Sequence, residues 1–203
     1  MGDHRRACAF RAGPHRARAS YSFRAQAQWR PDPAEAARGA NRHARNRKSA
    51  ARRTLGSRVI ALHDVNVLVA LFDPAHLHHE AAHAWFGGNR NRRWATCPLT
   101  ENALVRILSN ASYPGRRTTL EDAASRLRTL CLDRQHVFWP DSVSVRDAGR
   151  IRWNHVHGHR QLTDVYLLAL SVANQGCLAT FDSTISLRTV QGAEPDNLEL
   201  LAA

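Results

Sequence analysis

From Val59 onward, short apolar runs alternate with longer stretches of helical period, a pattern that few folds accept. Val59-Ile60-Ala61-Leu62, Trp94-Ala95-Thr96-Cys97, Val137-Phe138-Trp139, Cys177-Leu178-Ala179-Thr180 and Leu198-Glu199-Leu200-Leu201 suit strands. The first of these is apolar enough to be a parallel strand buried on both faces. Between them, residues 66–72 and 80–86 read as helices, stopped by Asp73-Pro74 and Gly87-Gly88. Thr100 is placed to cap a helix reaching about Asn110, and Thr163 to cap one ending at Asn174. Residues 120–132 keep their apolar side chains at helical spacing. A short helix is expected over residues 145–151, while residues 153–160 read as polar and irregular. Helices alternating with short apolar strands imply a parallel sheet covered on both faces.

Charge separates the chain into two parts. The net charge is +12, yet residues 1–58 hold 15 Lys and Arg against 3 Asp and Glu, and residues 59–203 hold 14 of each sign. The first segment is rich in Arg and Ala and has too little apolar surface to offset the entropy of ordering, so disorder is expected there. It reads as a nucleic-acid-binding arm, as an Arg-rich transit peptide, or as sequence outside the working protein. Met1 is the only methionine, and a GTG codon at Val59 would serve as a bacterial start. No apolar run approaches the ~18 residues that span a bilayer, and no apolar segment follows Met1 as in a secretory signal. Cys8, Cys97, Cys131 and Cys177 form no CxxC pair, which favours reduced thiols in a cytoplasmic protein.

Four acids occupy special points of this layout. Asp64 lies just past the first strand and Asp182 just past the fourth, while Glu101 and Asp164 each follow a threonine that opens a helix. In open α/β sheets, ligands bind beyond the carboxyl ends of the strands, so these four can converge. Two carboxylates ~4 Å apart repel by roughly 4 kcal/mol at an effective dielectric of 20. A divalent cation removes that repulsion, and an all-oxygen shell suits Mg²⁺ or Mn²⁺. Each acid also has a plainer reading. Acids are common in helix first turns because they complement the dipole, which covers Glu101 and Asp164. Asp64 and Asp182 resist that reading better, since each follows an apolar strand and an unpaired buried acid is expensive. Asp73, Asp141, Asp147 and Glu121 read as ordinary turn or surface acids.

The stretch Leu62-His63-Asp64-Val65-Asn66-Val67-Leu68-Val69-Ala70-Leu71 resembles the opening of PIN domains. Cys97-Pro98-Leu99-Thr100-Glu101-Asn102, Leu162-Thr163-Asp164-Val165-Tyr166-Leu167-Leu168-Ala169-Leu170 and Leu178-Ala179-Thr180-Phe181-Asp182 resemble the other acidic blocks, in order. The resemblance is greatest to VapC-type toxins and covers residues 59–203. It implies a three-layer α/β/α sandwich with a central parallel sheet of about five strands. It implies Mg²⁺- or Mn²⁺-dependent hydrolysis of RNA, leaving a 3′-hydroxyl and a 5′-phosphate. Asp64, Glu101, Asp164 and Asp182 would then be metal ligands, directly or through water, with Asn66 and Thr163 as supporting polar groups. It further implies a homodimer and a cognate antitoxin that covers the acidic pocket. The basic extension of residues 1–58 departs from the family pattern.

Other readings compete. His79-Glu80-Ala81-Ala82-His83 matches the HExxH pattern of zinc peptidases, with His79 and His83 on one helical face and Glu80 as general base. A non-catalytic PIN-fold module that binds RNA or protein would be expected to lack some of the four acids. His155, His157 and His159, with Trp153, form a loop that can bind a metal, stack on bases or simply be solvated. Arg160 is the first candidate for an RNA phosphate contact, followed by Arg116 and Arg117. The native protein is expected to begin near Val59, so intact-mass measurement of endogenous protein should give a chain without residues 1–58.

Overall fold

A computed structural model describes residues 59–115 and 118–202. Among these, β1 (Ala61–His63), β2 (Trp94–Thr96), β3 (His136–Phe138), β4 (Cys177–Thr180) and β5 (Leu198–Leu200) form an all-parallel sheet in the order β3-β2-β1-β4-β5. Parallel neighbours need crossovers, and helices supply most of them. Helices α1 (Val65–Phe72) and α2 (His79–Gly88) separate β1 from β2. Helices α3 (Pro98–Leu108) and α4 (Leu120–Leu130) separate β2 from β3, and α5 (Leu162–Ala173) precedes β4.

The strands are three or four residues long, so their alternation decides the layers. Ala61, Trp94, Cys177 and Ala179 pack into one core with the buried residues of α1, α2, α3 and α4. Leu62, Ala95 and Leu178, one position out of phase, pack into a second core with α5, Trp139, Val143, Ile151 and Val190. This is the expected three-layer α/β/α arrangement with five parallel strands.

Several local expectations fail for physical reasons. Helix α3 starts at Pro98, which needs no hydrogen-bond partner for its missing N–H, and Cys97 is the N-cap. Thr100 lies inside the first turn, fully buried, and its hydroxyl donates back to the Cys97 carbonyl at 3.1 Å. Helix α5 starts at Leu162 on a short turn over His159–Gln161, so Thr163 is exposed in the first turn and makes no cap. Helix α2 runs through both glycines to Gly88. The expected helix over residues 145–151 does not form, because Ile151 instead bridges antiparallel to Val190 and is buried there. Asp73 is not a surface acid: it is buried and accepts from Tyr113 Oη at 2.7 Å. After α5 it is Gln175, not the glycine, that takes the left-handed conformation (φ 53°). Gly176 is needed for space, since a Cβ there would collide with the Trp139 ring and the Ile60 carbonyl.

His63 sits at the end of β1, fully buried, stacked 4.9 Å from Trp94 and edge-on to Trp85 and Phe86. Neither ring nitrogen has a hydrogen-bond partner among the described residues. Burial drives its pKa down to about 3, with the positive charge of Arg92 adding to the effect. The unfolded chain therefore binds a proton below pH ~6.5 that the folded protein refuses, and stability falls as pH drops from there toward 3. His63→Phe should raise stability by about 1 kcal/mol at neutral pH by removing the unpaired nitrogens. It should also remove an acid-side slope of up to ~1.4 kcal/mol per pH unit. Urea unfolding of both proteins between pH 4 and 7.5 measures the two effects.

Candidate active site

The strand order reverses direction between β1 and β4, the point where an open parallel sheet leaves a crevice beyond its carboxyl ends. Asp64 follows β1 immediately and caps α1, its carboxylate accepting from Val65 N–H at 2.6 Å. Its own N–H donates to the Ala179 carbonyl at 3.0 Å, extending the β1–β4 ladder to this residue. The second carboxylate oxygen accepts from Asn66 Nδ2 at 2.9 Å and from Thr180 Oγ1 at 2.7 Å. Asp64 is only 2% exposed, so these three bonds offset much of the cost of burying its charge.

Thr180, at the end of β4, is the hub. Its hydroxyl donates to Asp64 and accepts from Asn66 Nδ2 at 2.9 Å and from the Asp182 N–H at 3.0 Å. One donor and two acceptor positions are thereby all used. Asn66 Oδ1 in turn accepts from the Phe181 N–H at 3.3 Å. The segment carrying Asp182 is thus tied to the segment carrying Asp64. Asp182 folds over its own turn, accepting from Thr184 N–H at 2.7 Å.

Asp164, half-buried in the first turn of α5, completes a trio. Burial, reinforced by the negative charges of Asp64 and Asp182, pushes its pKa up to about 6. Asp64 is likewise raised, by burial first and by Asp182 as well, against the opposing pull of its hydrogen bonds. Among the described residues, the charges that act on Asp64 and Asp164 are those of their fellow aspartates. This fits an oxygen-coordinated divalent ion, because such an ion would relieve the repulsion that raises both groups.

Glu101 has a different set of partners. It lies in the first turn of α3, but its carboxylate accepts from Thr96 Oγ1 at 2.6 Å and acts electrostatically on Cys131 and His136. Asn66 lies within the aspartate network, whereas Thr163 is exposed in the first turn of α5. Arg160 is exposed immediately before α5; Arg116 and Arg117 lie outside the described residues. Sequence reasoning passed over Thr180 and Thr96, which read as strand formers. The available signal was a threonine at a strand's carboxyl end, two residues before an acid in the first case. The peptidase pattern is spent on packing: His79 Nδ1 bonds the Ala70 carbonyl at 2.7 Å and His83 Nε2 the Leu71 carbonyl at 3.0 Å, closing the end of α1.

Comparison with known proteins agrees with this geometry. The PIN domain family model matches residues 61–189. Ribonuclease VapC44 of Mycobacterium tuberculosis (strain ATCC 25618 / H37Rv) is 43% identical over 141 residues, which are 70% of this chain and 99% of that protein. Ribonuclease VapC39 of the same strain is 41% identical over 126 residues, 62% of this chain and 91% of the relative. Ribonuclease VapC29 is 40% identical over 126 residues, 61% and 86% of the two chains. With the expected parallel sheet of five strands and aspartates at its switch point, the chain belongs to the PIN domain family, among its VapC-type members.

Proposed function

We propose that this chain is a metal-dependent endoribonuclease, the toxin of a toxin–antitoxin pair, and that it hydrolyses RNA phosphodiester bonds at Asp64, Asp164 and Asp182. The observation behind the reading is that Asp64 and Asp182, past the ends of β1 and β4, and Asp164, at the start of α5, are near enough for their charges to add to the burial that raises Asp64 and Asp164. The relatives' names supply the substrate class.

The aspartates would hold Mg²⁺ or Mn²⁺, which when bound supplies Lewis acidity toward a phosphodiester oxygen and lowers the pKa of a water. Asp64 is the rigid member, since three hydrogen bonds fix both of its oxygens. Asn66 and Thr180 are positioning residues, orienting Asp64 and the Asp182 backbone. Asp164 and Asp182 face the same crevice from α5 and from the turn after β4, and they set the negative charge that selects a cation. Glu101 would join by turning from Thr96 toward the aspartates, and Thr163 flanks Asp164 at the entrance. Arg160, exposed beside α5, suits an RNA phosphate, and Arg116 and Arg117 are assigned the same role.

The working nuclease domain is residues 59–203, with residues 1–58 a basic extension. A cognate antitoxin and a second copy of the chain are the proposed protein partners, on the strength of the family. Among the described residues no helix is long and apolar enough to cross a membrane, and a cytoplasmic location is proposed.

Asp64→Asn should reduce RNA cleavage by at least about 100-fold, and chelation of divalent ions should abolish it in the unaltered protein, as read on labelled RNA. At limiting Mg²⁺, activity should fall as pH drops through about 6, where Asp164 takes up a proton, and excess Mg²⁺ should restore it. Retained cleavage by Asp64→Asn would remove the proposal.

Asp164→Asn should do two opposite things. The folded-state pKa of Asp164 is raised, so the stability it contributes is present at low pH and lost as pH rises through about 6. Replacing it should abolish cleavage yet stabilise the metal-free protein at pH 7.5 by on the order of 1 kcal/mol, allowing for solvent screening at a half-exposed site. Thermal unfolding in chelator, compared with that in 10-fold-higher ionic strength, separates this charge effect from packing.

A further inference from the structure

Glu101 belongs to a cluster that holds none of the aspartates. One ligand atom each from Glu101, Cys131 and His136 lies within 4.8 Å of the others, and all three side chains are half-buried. They come from three different elements: the first turn of α3, the end of α4, and the start of β3. Thr96 Oγ1 reaches all three, donating to Glu101 Oε1 at 2.6 Å, meeting His136 Nε2 at 2.8 Å and lying within hydrogen-bonding reach of the Cys131 thiol, so an ion bound there would displace this hydroxyl. The imidazole also bonds the backbone of Cys131 and packs 4.5 Å from the Trp94 ring. A ring held by a backbone group and an aromatic neighbour is oriented in the way that metal-binding histidines generally are.

The cluster is reachable. Glu101 and Cys131 line an open groove of about 540 Å³ between α3 and α4, together with Pro98, Asn102, Leu127 and Arg128. Its chemistry differs from that of the aspartates. Thiolate, imidazole and carboxylate form a mixed sulfur, nitrogen and oxygen set that suits Zn²⁺ and Co²⁺ and is a poor match for Mg²⁺. Thiolate and carboxylate together carry the two negative charges that neutralise a divalent ion. Three protein ligands leave a fourth tetrahedral position for water.

We propose that Glu101, Cys131 and His136 form a second, thiophilic metal site, and that a zinc-class ion bound there holds Glu101 away from the aspartates and inhibits the nuclease. The inhibitory consequence rests on the reading of Glu101 as a member of the nuclease site; the binding of the ion does not. Binding replaces the Cys131 S–H bond with a sulfur–metal bond and releases one proton to solvent. Because the thiol must give up that proton, binding should tighten as pH rises.

The test uses the full chain with Co²⁺ as the probe, in excess Mg²⁺. One equivalent of Co²⁺ should produce a near-ultraviolet thiolate-to-metal absorption band, which Zn²⁺ then erases. Cys131→Ser should abolish the band, His136→Gln should weaken Co²⁺ binding at least tenfold, and Cys8→Ser should leave it intact. Circular dichroism of each variant verifies folding. In parallel, micromolar Zn²⁺ should slow Mg²⁺-dependent RNA cleavage at least tenfold in the unaltered protein, while Cys131→Ser resists. No band, or a band that survives Cys131→Ser, overturns the site. Equal inhibition of the unaltered protein and of Cys131→Ser overturns its coupling to Glu101. A Cys131-dependent band in a chain that cleaves no RNA under any metal condition upholds the ion site and removes the nuclease reading instead.

Discussion

The buried Asp64 carboxylate is the constraint around which the rest is organised. A carboxylate 2% exposed must be surrounded by donors, and each donor that reaches it belongs to a different part of the local structure. Val65 N–H is the start of a helix, Asn66 is on that helix, and Thr180 is at the end of another strand. One side chain therefore caps α1 and helps fix its entry from β1. Through Thr180, it also positions the turn in which Asp182 lies. Burial, and after it the negative charge of neighbouring aspartates, raises the pKa values of Asp64 and Asp164, which is a standing demand for positive charge at that point.

Beneath the site, a different cluster closes the opposite end of the sheet. Arg92 donates to the Val59 carbonyl at 2.8 Å and pairs with Glu199 at 2.5 Å, and Trp85 Nε1 donates to the same carboxylate at 2.8 Å. Arg92 is only 10% exposed in this pair. Breaking it would leave an uncompensated buried charge, so its role is to fix one arrangement of β1 and β5 more than to add net stability. Charge is thus satisfied by protein at one end of the sheet and left in excess at the other.

Legibility in the sequence followed the range of the interaction. The strands could be read because each is an apolar run, and their parallel pairing because helices lie between them. That Asp64 and Asp182 follow strand ends and Asp164 opens a helix could be read because these are local features. Helix starts at Thr100 and Thr163 were misplaced because a proline at the first position and a preceding tight turn displace the boundary without changing the apolar pattern. The segment from Trp139 to Ile151 could not be read, since the partner of Ile151 is Val190, far along the chain. Thr180 looked like any strand threonine until Asp64 stood opposite it. The direction of Glu101 is a matter of side-chain rotation, set by Thr96 and His136, and no periodicity encodes it.

Strand β1 lies in the middle of the sheet, yet one of its two neighbours, β4, comes only after β2 and β3 in the chain. The Thr180–Asp64 bond spans 116 residues of sequence. While the chain is still growing, α1 to α4 can gather on β1 and β2, but the crevice lacks its second wall. The crevice is thus a long-range product: no stretch of chain shorter than the span from Asp64 to Asp182 contains it.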